Sequence, residues 1–397
     1  MKILIADKLS PTALAELEAL GASLRNEPDL KAEELPAAIG DSEVLIVRST
    51  KVSAEAIAAG AQLGLIVRAG AGVNTIDVAE ASARGIHVAN CPGKNKDAVA
   101  ELTIGLLVAA DRRIVDACTD LRAGAWKKKV YSKAPGLRGR TLGILGMGAI
   151  GQSVADIARS MGMEVIAWSR SLTPVKAQQF GVGFCDSPEA VASAADALTV
   201  HLAATPDTKG MLNQALLGHM KDGAILINTS RGNLHDTEAL KWAIREKGLR
   251  VALDVYEPEP AATDPDFADT ELASMITGTP HIGASTDQAS EAIALEAAAV
   301  VRAYRDTGKP LHPVNARAKS GSGLSLAVRH YNKVGVLAGV LDRLRDSGVN
   351  IEEMENSIFA GGKAALCTLT LDHRPSEEVL KSIAAADHVI SASLNEA

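Results

Sequence analysis

One hexapeptide restricts this chain's fold more than any other: Gly146-Met147-Gly148-Ala149-Ile150-Gly151. It directly follows an apolar run at 141–145 and opens a stretch of helical period at 149–161. In a strand–loop–helix unit the first glycine allows the tight turn and the second lets backbone approach a pyrophosphate. The third lets the helix pack on the strand. The helix N-terminus adds free N–H groups and a partial positive charge. The pattern predicts a dinucleotide site at Gly146, Gly148, Ala149, Ile150 and Gly151, rather than a merely tight turn. The next strand, 164–168, ends at Ser169 and Arg170, where a carboxylate usually meets the ribose hydroxyls. A serine and an arginine suit a 2′-phosphate. Alternatively, Arg170 stacks on adenine or faces solvent, and NAD binds without the carboxylate. NAD is the expected cofactor, and NADP stays open.

Strand-like runs alternate with helical stretches on both sides of that loop. Before it they fall at 2–6, 43–47, 64–67 and 85–89, followed by one long helical pattern over 97–123. After it they fall at 141–145, 164–168, 197–200, 224–228, 250–254 and 275–277. Strands separated by helices imply βαβ units in parallel sheets. A helix at 286–306 is placed to return to the first sheet. Prolines 310 and 313 and the Ser/Gly run 320–323 mark a linker. The last 74 residues read strand–helix–strand–strand–helix–strand, the βαββαβ order of a ferredoxin-like domain.

Three polar residues follow predicted strand ends: Arg231 in Asn-Thr-Ser-Arg-Gly, Glu259 in Asp-Val-Tyr-Glu-Pro-Glu-Pro, and His281 in Thr-Pro-His-Ile-Gly. Ends of parallel strands converge on the crevice where ligands bind. The chemistry suits oxidation of a hydroxy acid. His281 takes the hydroxyl proton, Glu259 holds its tautomer and favours its charged form, and Arg231 grips a carboxylate in bidentate fashion. A second glycine run, Gly70-Ala71-Gly72, lacks the third glycine before a helix and reads equally as a substrate-side turn or as plain structure.

These motifs, with the continuation Ala-Ser-Thr after Gly283, resemble the D-isomer-specific 2-hydroxy acid dehydrogenases over essentially the whole chain. The resemblance implies an α/β protein with a flavodoxin-like substrate domain at 1–96, completed by 285–310. A Rossmann doubly wound parallel sheet would occupy 97–284, a linker 311–323, and a ferredoxin-like ACT domain 324–397. It gives Arg231, Glu259 and His281 the roles above, and puts Asp254 against the nicotinamide amide. His201, Thr205 and Thr229 join the cofactor contacts. The missing aspartate at Ser169 is the departure from the family pattern.

On the substrate side the resemblance brings in Arg48 as the holder of an anionic substrate, with Ser49, Gly72, Val73 and Asn95 beside it. Lys94 is added from its charge and place. Lys127–129 are either a solvated charge run or a basic contribution to a neighbouring subunit. In the tail, His330, Asn332 and Asn350 match an amino-acid effector pattern, with L-serine the expected effector; Val334 replaces a proline common there. The other reading of the tail is assembly alone. The substrate is then a small phosphorylated 2-hydroxy acid. The alternatives are another 2-hydroxy acid, or a nucleotide-sensing protein without turnover.

Composition narrows the rest. Aromatics are 3% and net charge is −7, which disfavours nucleic-acid stacking and phosphate-backbone binding. Apolar runs such as 102–110 are too short to span a bilayer. Cysteines 91, 118, 185 and 367 are too scattered for a disulfide framework or zinc cluster, and no metal is expected. The expectation is a cytoplasmic homodimer or homotetramer with no nucleic-acid or membrane partner.

Overall fold

Short runs of Ile, Leu and Val form the first sheet of the computed structural model, which describes residues 1–260, 266–316 and 324–396. Its parallel strands are β1 (Lys2–Ile5), β2 (Ser23–Asn26), β3 (Val44–Val47), β4 (Leu65–Arg68) and β5 (His87–Ala89). Their order, β2-β1-β3-β4-β5, is that of flavodoxin-like sheets. The sequence pattern missed β2. Ser-Leu-Arg-Asn is a largely exposed edge strand and carries almost no apolar signal.

The helix Lys96–Arg112 buries Ala100, Thr103, Leu106, Leu107 and Ala110. The continuous helix expected over 97–123 is instead broken at Arg113, which adopts a left-handed conformation at φ 51°. Just before the break, Asp111 is buried and paired with Arg140 at 3.2 Å. That contact pins the helix end to the second sheet. Helix Ile114–Arg122 then buries none of its side chains.

The second sheet contains β6 (Thr141–Leu145), β7 (Glu164–Trp168), β8 (Gly183–Phe184), β9 (Ala197–Val200), β10 (Ile225–Asn228), β11 (Arg250–Leu253) and β12 (Thr277–Gly278). The order β12-β11-β10-β9-β6-β7-β8 is the Rossmann arrangement with one further strand at β12. Six strands were expected and seven are present among the described residues. The extra one, β8, is an exposed two-residue edge strand with too little sequence to show a period.

Thr286 caps the helix Asp287–Thr307 by accepting from the Ala289 N–H at 3.1 Å, and Gly308 ends it at φ 72°. Its Ile293, Ala297, Ala298, Val300 and Val301 complete the core formed with Ile3, Ile5, Val44 and Leu65. The first 315 residues form one compact unit.

The second unit, described by itself, is an antiparallel sheet of β13 (Leu324–Tyr331), β14 (Ile351–Ile358), β15 (Ala364–Leu371) and β16 (Val389–Glu396), in the order β14-β15-β13-β16. With helices Val336–Asp346 and Glu377–Ala384 it has the expected βαββαβ order. The 317–323 part of the expected linker lies outside the described residues. No helix among the described residues is long and apolar enough to cross a membrane.

Candidate active site

The glycine loop forms as its sequence requires. Gly146 has φ 105°, and a Cβ there would collide with the His201 carbonyl. A Cβ on Gly151 would strike the Gly146 carbonyl, so helix Ala149–Ser160 lies directly against the turn. At Gly148 a Cβ would meet nothing, which leaves open space in front of a helix N-terminus that has no side-chain cap. That open cradle fits a diphosphate.

Around it, Ser169 is partly buried and Arg170 exposed. His201 contacts Thr199 Oγ1 through Nε2 at 3.1 Å, and burial drops its pKa to about 3. Thr205 forms a small turn with Thr208, whose hydroxyl accepts from the Thr205 N–H at 2.8 Å. Thr103 donates to the Val99 carbonyl at 2.7 Å, so the 2.9 Å contact leaves Thr229 as donor to Thr103. The Thr229 hydroxyl proton is therefore committed to the helix Lys96–Arg112.

Asn228, fully buried at the end of β10, shapes the Arg231 loop. Its amide donates to the Arg231 carbonyl at 2.9 Å, and its Oδ1 accepts from the Ser230 N–H at 3.0 Å. The same amide reaches His235 Nδ1 at 3.1 Å, and burial drops the His235 pKa to about 4. Gly232 lets this loop touch the next strand's exit, because a Cβ there would collide with the Tyr256 carbonyl. Gly232→Ala is expected to cost about 1–3 kcal/mol as the backbone yields. The midpoint of denaturant unfolding checks this, and an unchanged midpoint contradicts it.

Asp254 is 0% exposed and holds the His281 loop. Its Oδ1 accepts from the Ile282 N–H at 2.8 Å and the Thr279 hydroxyl at 2.6 Å, and its Oδ2 from the Gly283 N–H at 2.8 Å. These bonds support His281 in a left-handed conformation at φ 53°. His281 Nδ1 bonds Glu259 Oε1, with both side chains about two-fifths exposed. With Nδ1 engaged, Nε2 is the free nitrogen.

Arg231 Nη1 donates to the Ser230 carbonyl at 2.6 Å, and its Nη2 lies against Gly72. Burial lowers its pKa, with Glu259 opposing. The Gly70–Gly72 turn thus lies against Arg231. Asn90 braces it by donating to the Ala71 carbonyl at 2.6 Å.

Arg68, at the end of β4, was not singled out from the sequence. Its Nε donates to the Arg48 carbonyl at 3.0 Å, and its guanidinium rests on Gly70. Burial lowers its pKa first, then repulsion from Arg231 and Arg48. Arg48, Arg68 and Arg231 therefore form one row of interacting cations. The only hint in sequence was a charged residue closing an apolar strand.

The other substrate-side residues are divided. Ser49 is exposed on the Arg48 loop. Val73 packs into the apolar cluster beneath the first sheet. Lys94 pairs with Glu296 at 2.9 Å, and Asn95 starts the helix Lys96–Arg112 by accepting from the Val99 N–H. A cavity of about 280 Å³ opens beside Arg48, lined also by Lys8, Ser10, Asp287, Ser290 and Glu291.

In the tail, His330 is 2% exposed, and Nδ1 and Nε2 face the Tyr331 carbonyl and Asn356. Asn332 donates to the Gly362 carbonyl at 3.0 Å. Tyr331 sits opposite Ala364, whereas Ile351 sits opposite Leu371. Asn350 therefore lies at the other end of β15, about 23 Å away at 3.3 Å per residue. One copy of the tail does not bring the three residues together.

Residues 104–283 match the family model for the D-isomer specific 2-hydroxyacid dehydrogenase, NAD binding domain. The chain is also 39% identical over 272 residues to hydroxypyruvate reductase from Thermotoga maritima, covering 67% of this chain and 86% of that protein. It belongs to the D-isomer specific 2-hydroxyacid dehydrogenase family and carries that family's NAD binding domain.

Within the family it is similar to D-3-phosphoglycerate dehydrogenase from Methanocaldococcus jannaschii, at 39% identity over 294 residues and 74% of this chain. The chain spans only 55% of that relative's length. A solved structure of NAD+-bound 3-phosphoglycerate dehydrogenase from Entamoeba histolytica matches with a TM-score of 0.66 at 28% identity. The match covers 80% of this chain and 99% of that one.

Proposed function

We propose that this protein oxidises 3-phospho-D-glycerate to 3-phosphooxypyruvate with a nicotinamide nucleotide, as a D-3-phosphoglycerate dehydrogenase supplying L-serine synthesis. The observation that carries this reading is the row Arg48–Arg68–Arg231, in which Arg68 bonds the Arg48 carbonyl and the Arg68 and Arg231 guanidinium groups lie against Gly70 and Gly72 of one turn. A plain hydroxy acid needs one guanidinium for its carboxylate. A phosphorylated one needs further cations for the distal dianion.

The bound nucleotide supplies the hydride acceptor. The chain's own residues do the rest. Arg231 grips the substrate carboxylate and polarises the reacting oxygen, while Arg48 and Arg68 hold the phosphate. His281 Nε2 accepts the hydroxyl proton, and Glu259 stabilises the resulting imidazolium through Nδ1. NAD is the main nucleotide in this reading, and the Ser169–Arg170 pair leaves room for NADP.

The exposed helix Ile114–Arg122 presents Ile114, Val115 and Leu121, with Trp126 80% exposed just beyond it. Together they suit a subunit contact in a cytoplasmic homodimer or homotetramer. Across such a pair of copies, His330 and Asn332 of one ACT-type tail and Asn350 of the other would meet around L-serine.

Steady-state rates on 3-phospho-D-glycerate with NAD and with NADP, with and without L-serine, test this reading. Turnover with NAD, slowed by serine, is expected. The Thermotoga relative supports a second reading, reduction of hydroxypyruvate. Turnover of hydroxypyruvate or glyoxylate with none of phosphoglycerate would establish that reading instead. Nucleotide binding without turnover of any 2-oxo acid would leave a sensor.

A further inference from the structure

The row of arginines needs something to hold it, because like charges in one cleft repel. Arg48 follows β3, and β3 lies beside β1 with Ile5 opposite Ile46. The chain leaves β1 at Asp7, so the two strand exits are neighbours. One Asp7 oxygen, Oδ2, accepts from three successive N–H groups: Arg48 at 2.7 Å, Ser49 at 3.0 Å and Thr50 at 3.0 Å. The Thr50 hydroxyl donates back to the Ala6 carbonyl at 3.2 Å and closes the clasp.

Three consecutive amides meet at one point only when the backbone curls around it, the geometry of an anion nest. Here the anion is the protein's own carboxylate. The curled loop points the Arg48 carbonyl at Arg68 Nε and carries the Arg48 guanidinium to 3.4 Å from Ser290 Oγ. The charge of Asp7 is also attractive to Arg68.

We infer that Asp7 is a positioning residue: it fixes the Arg48 loop and, through it, the Arg48–Arg68 pair that receives the distal anion. Asp254 does the same for the His281 loop with two N–H groups and a hydroxyl. Each lobe thus holds its substrate-facing loop with a carboxylate placed just past a strand end. The inference rests on the proposed handling of an anionic substrate, but its structural half can be tested without turnover.

The test compares the full-length protein with Asp7→Ala and Asp7→Asn. Hydrogen exchange is expected to lose protection at residues 48–50 by about 10- to 100-fold in Asp7→Ala, the worth of bonds to a charged acceptor. Asp7→Asn, which keeps an oxygen acceptor, should retain part of that protection. KM for 3-phospho-D-glycerate should rise by a similar factor in Asp7→Ala with kcat within about twofold, and NADH affinity should not move.

Unchanged exchange at 48–50 in Asp7→Ala overturns the inference. So does a parallel fall of kcat, NADH affinity and melting temperature that asparagine does not relieve. If the unaltered protein turns over no 2-hydroxy acid, the proposed function fails, and the exchange comparison still decides the role of Asp7.

Discussion

His281→Ala is expected to lower kcat by roughly 10²–10⁴, the usual worth of a positioned acid–base group. Among the described residues the histidines beside the site offer no substitute. Burial drops the His201 pKa to about 3 and the His235 pKa to about 4, so both are too weakly basic to take the proton instead. Glu259 bonds the histidine's Nδ1 and can orient the ring, but it sits on the far side from Nε2. The loop is held by its own amides on Asp254, so removing the imidazole leaves its frame in place. Single-turnover and steady-state rates on a folded variant with normal NADH affinity give the comparison. Near-native turnover would remove His281 from the mechanism.

Arg231→Ala is expected to reduce kcat/KM by roughly 10²–10⁴, with both constants affected. A grip on the carboxylate contributes to binding, and a guanidinium near the reacting oxygen contributes further as charge develops. Lysine should restore little, because a point ammonium cannot reproduce a two-pronged contact. Arg231 Nη1 donates only to the adjacent Ser230 carbonyl among the described residues, so the truncated protein should keep its stability. If neither constant moves, Arg231 is a local brace and the carboxylate site lies elsewhere.

Much of this architecture was visible in the order of residues because its strongest signals are local. The loop from Gly146 to Gly151, the strand before it and the helix after it are contiguous. Arg231, Glu259 and His281 each follow a strand of the same parallel sheet, which is enough to put them on one rim. The signal fails where pairing rather than composition makes the element. Ser23–Asn26 is a strand because β1 lies beside it. The break at Arg113 lies beside the contact of Asp111 with Arg140, 29 residues away, which no local pattern reveals.

The same limit hid the supporting residues. Asp7 and Arg48 are 41 positions apart, and neither lies in a motif that would draw attention to the other. Arg68 falls just past a predicted strand, and only the fold puts it beside Arg48 and Arg231. Asp254 was read as a contact for the nicotinamide, and in the fold its two oxygens accept bonds from the segment 279–283, a role the sequence did not suggest. Chemistry-bearing residues stand out by type, whereas those that hold them are recognisable only in three dimensions.

The return of Asp287–Thr307 to the first sheet affects how the chain matures on the ribosome. Ile3, Ile5 and Leu65 lack their covering residues until Ile293 through Val301 have been translated. The nucleotide lobe, by contrast, has all its strands by residue 278. Of these two lobes the one begun first is therefore finished last, and a nascent chain stalled near residue 285 would expose part of an aliphatic sheet face to chaperones.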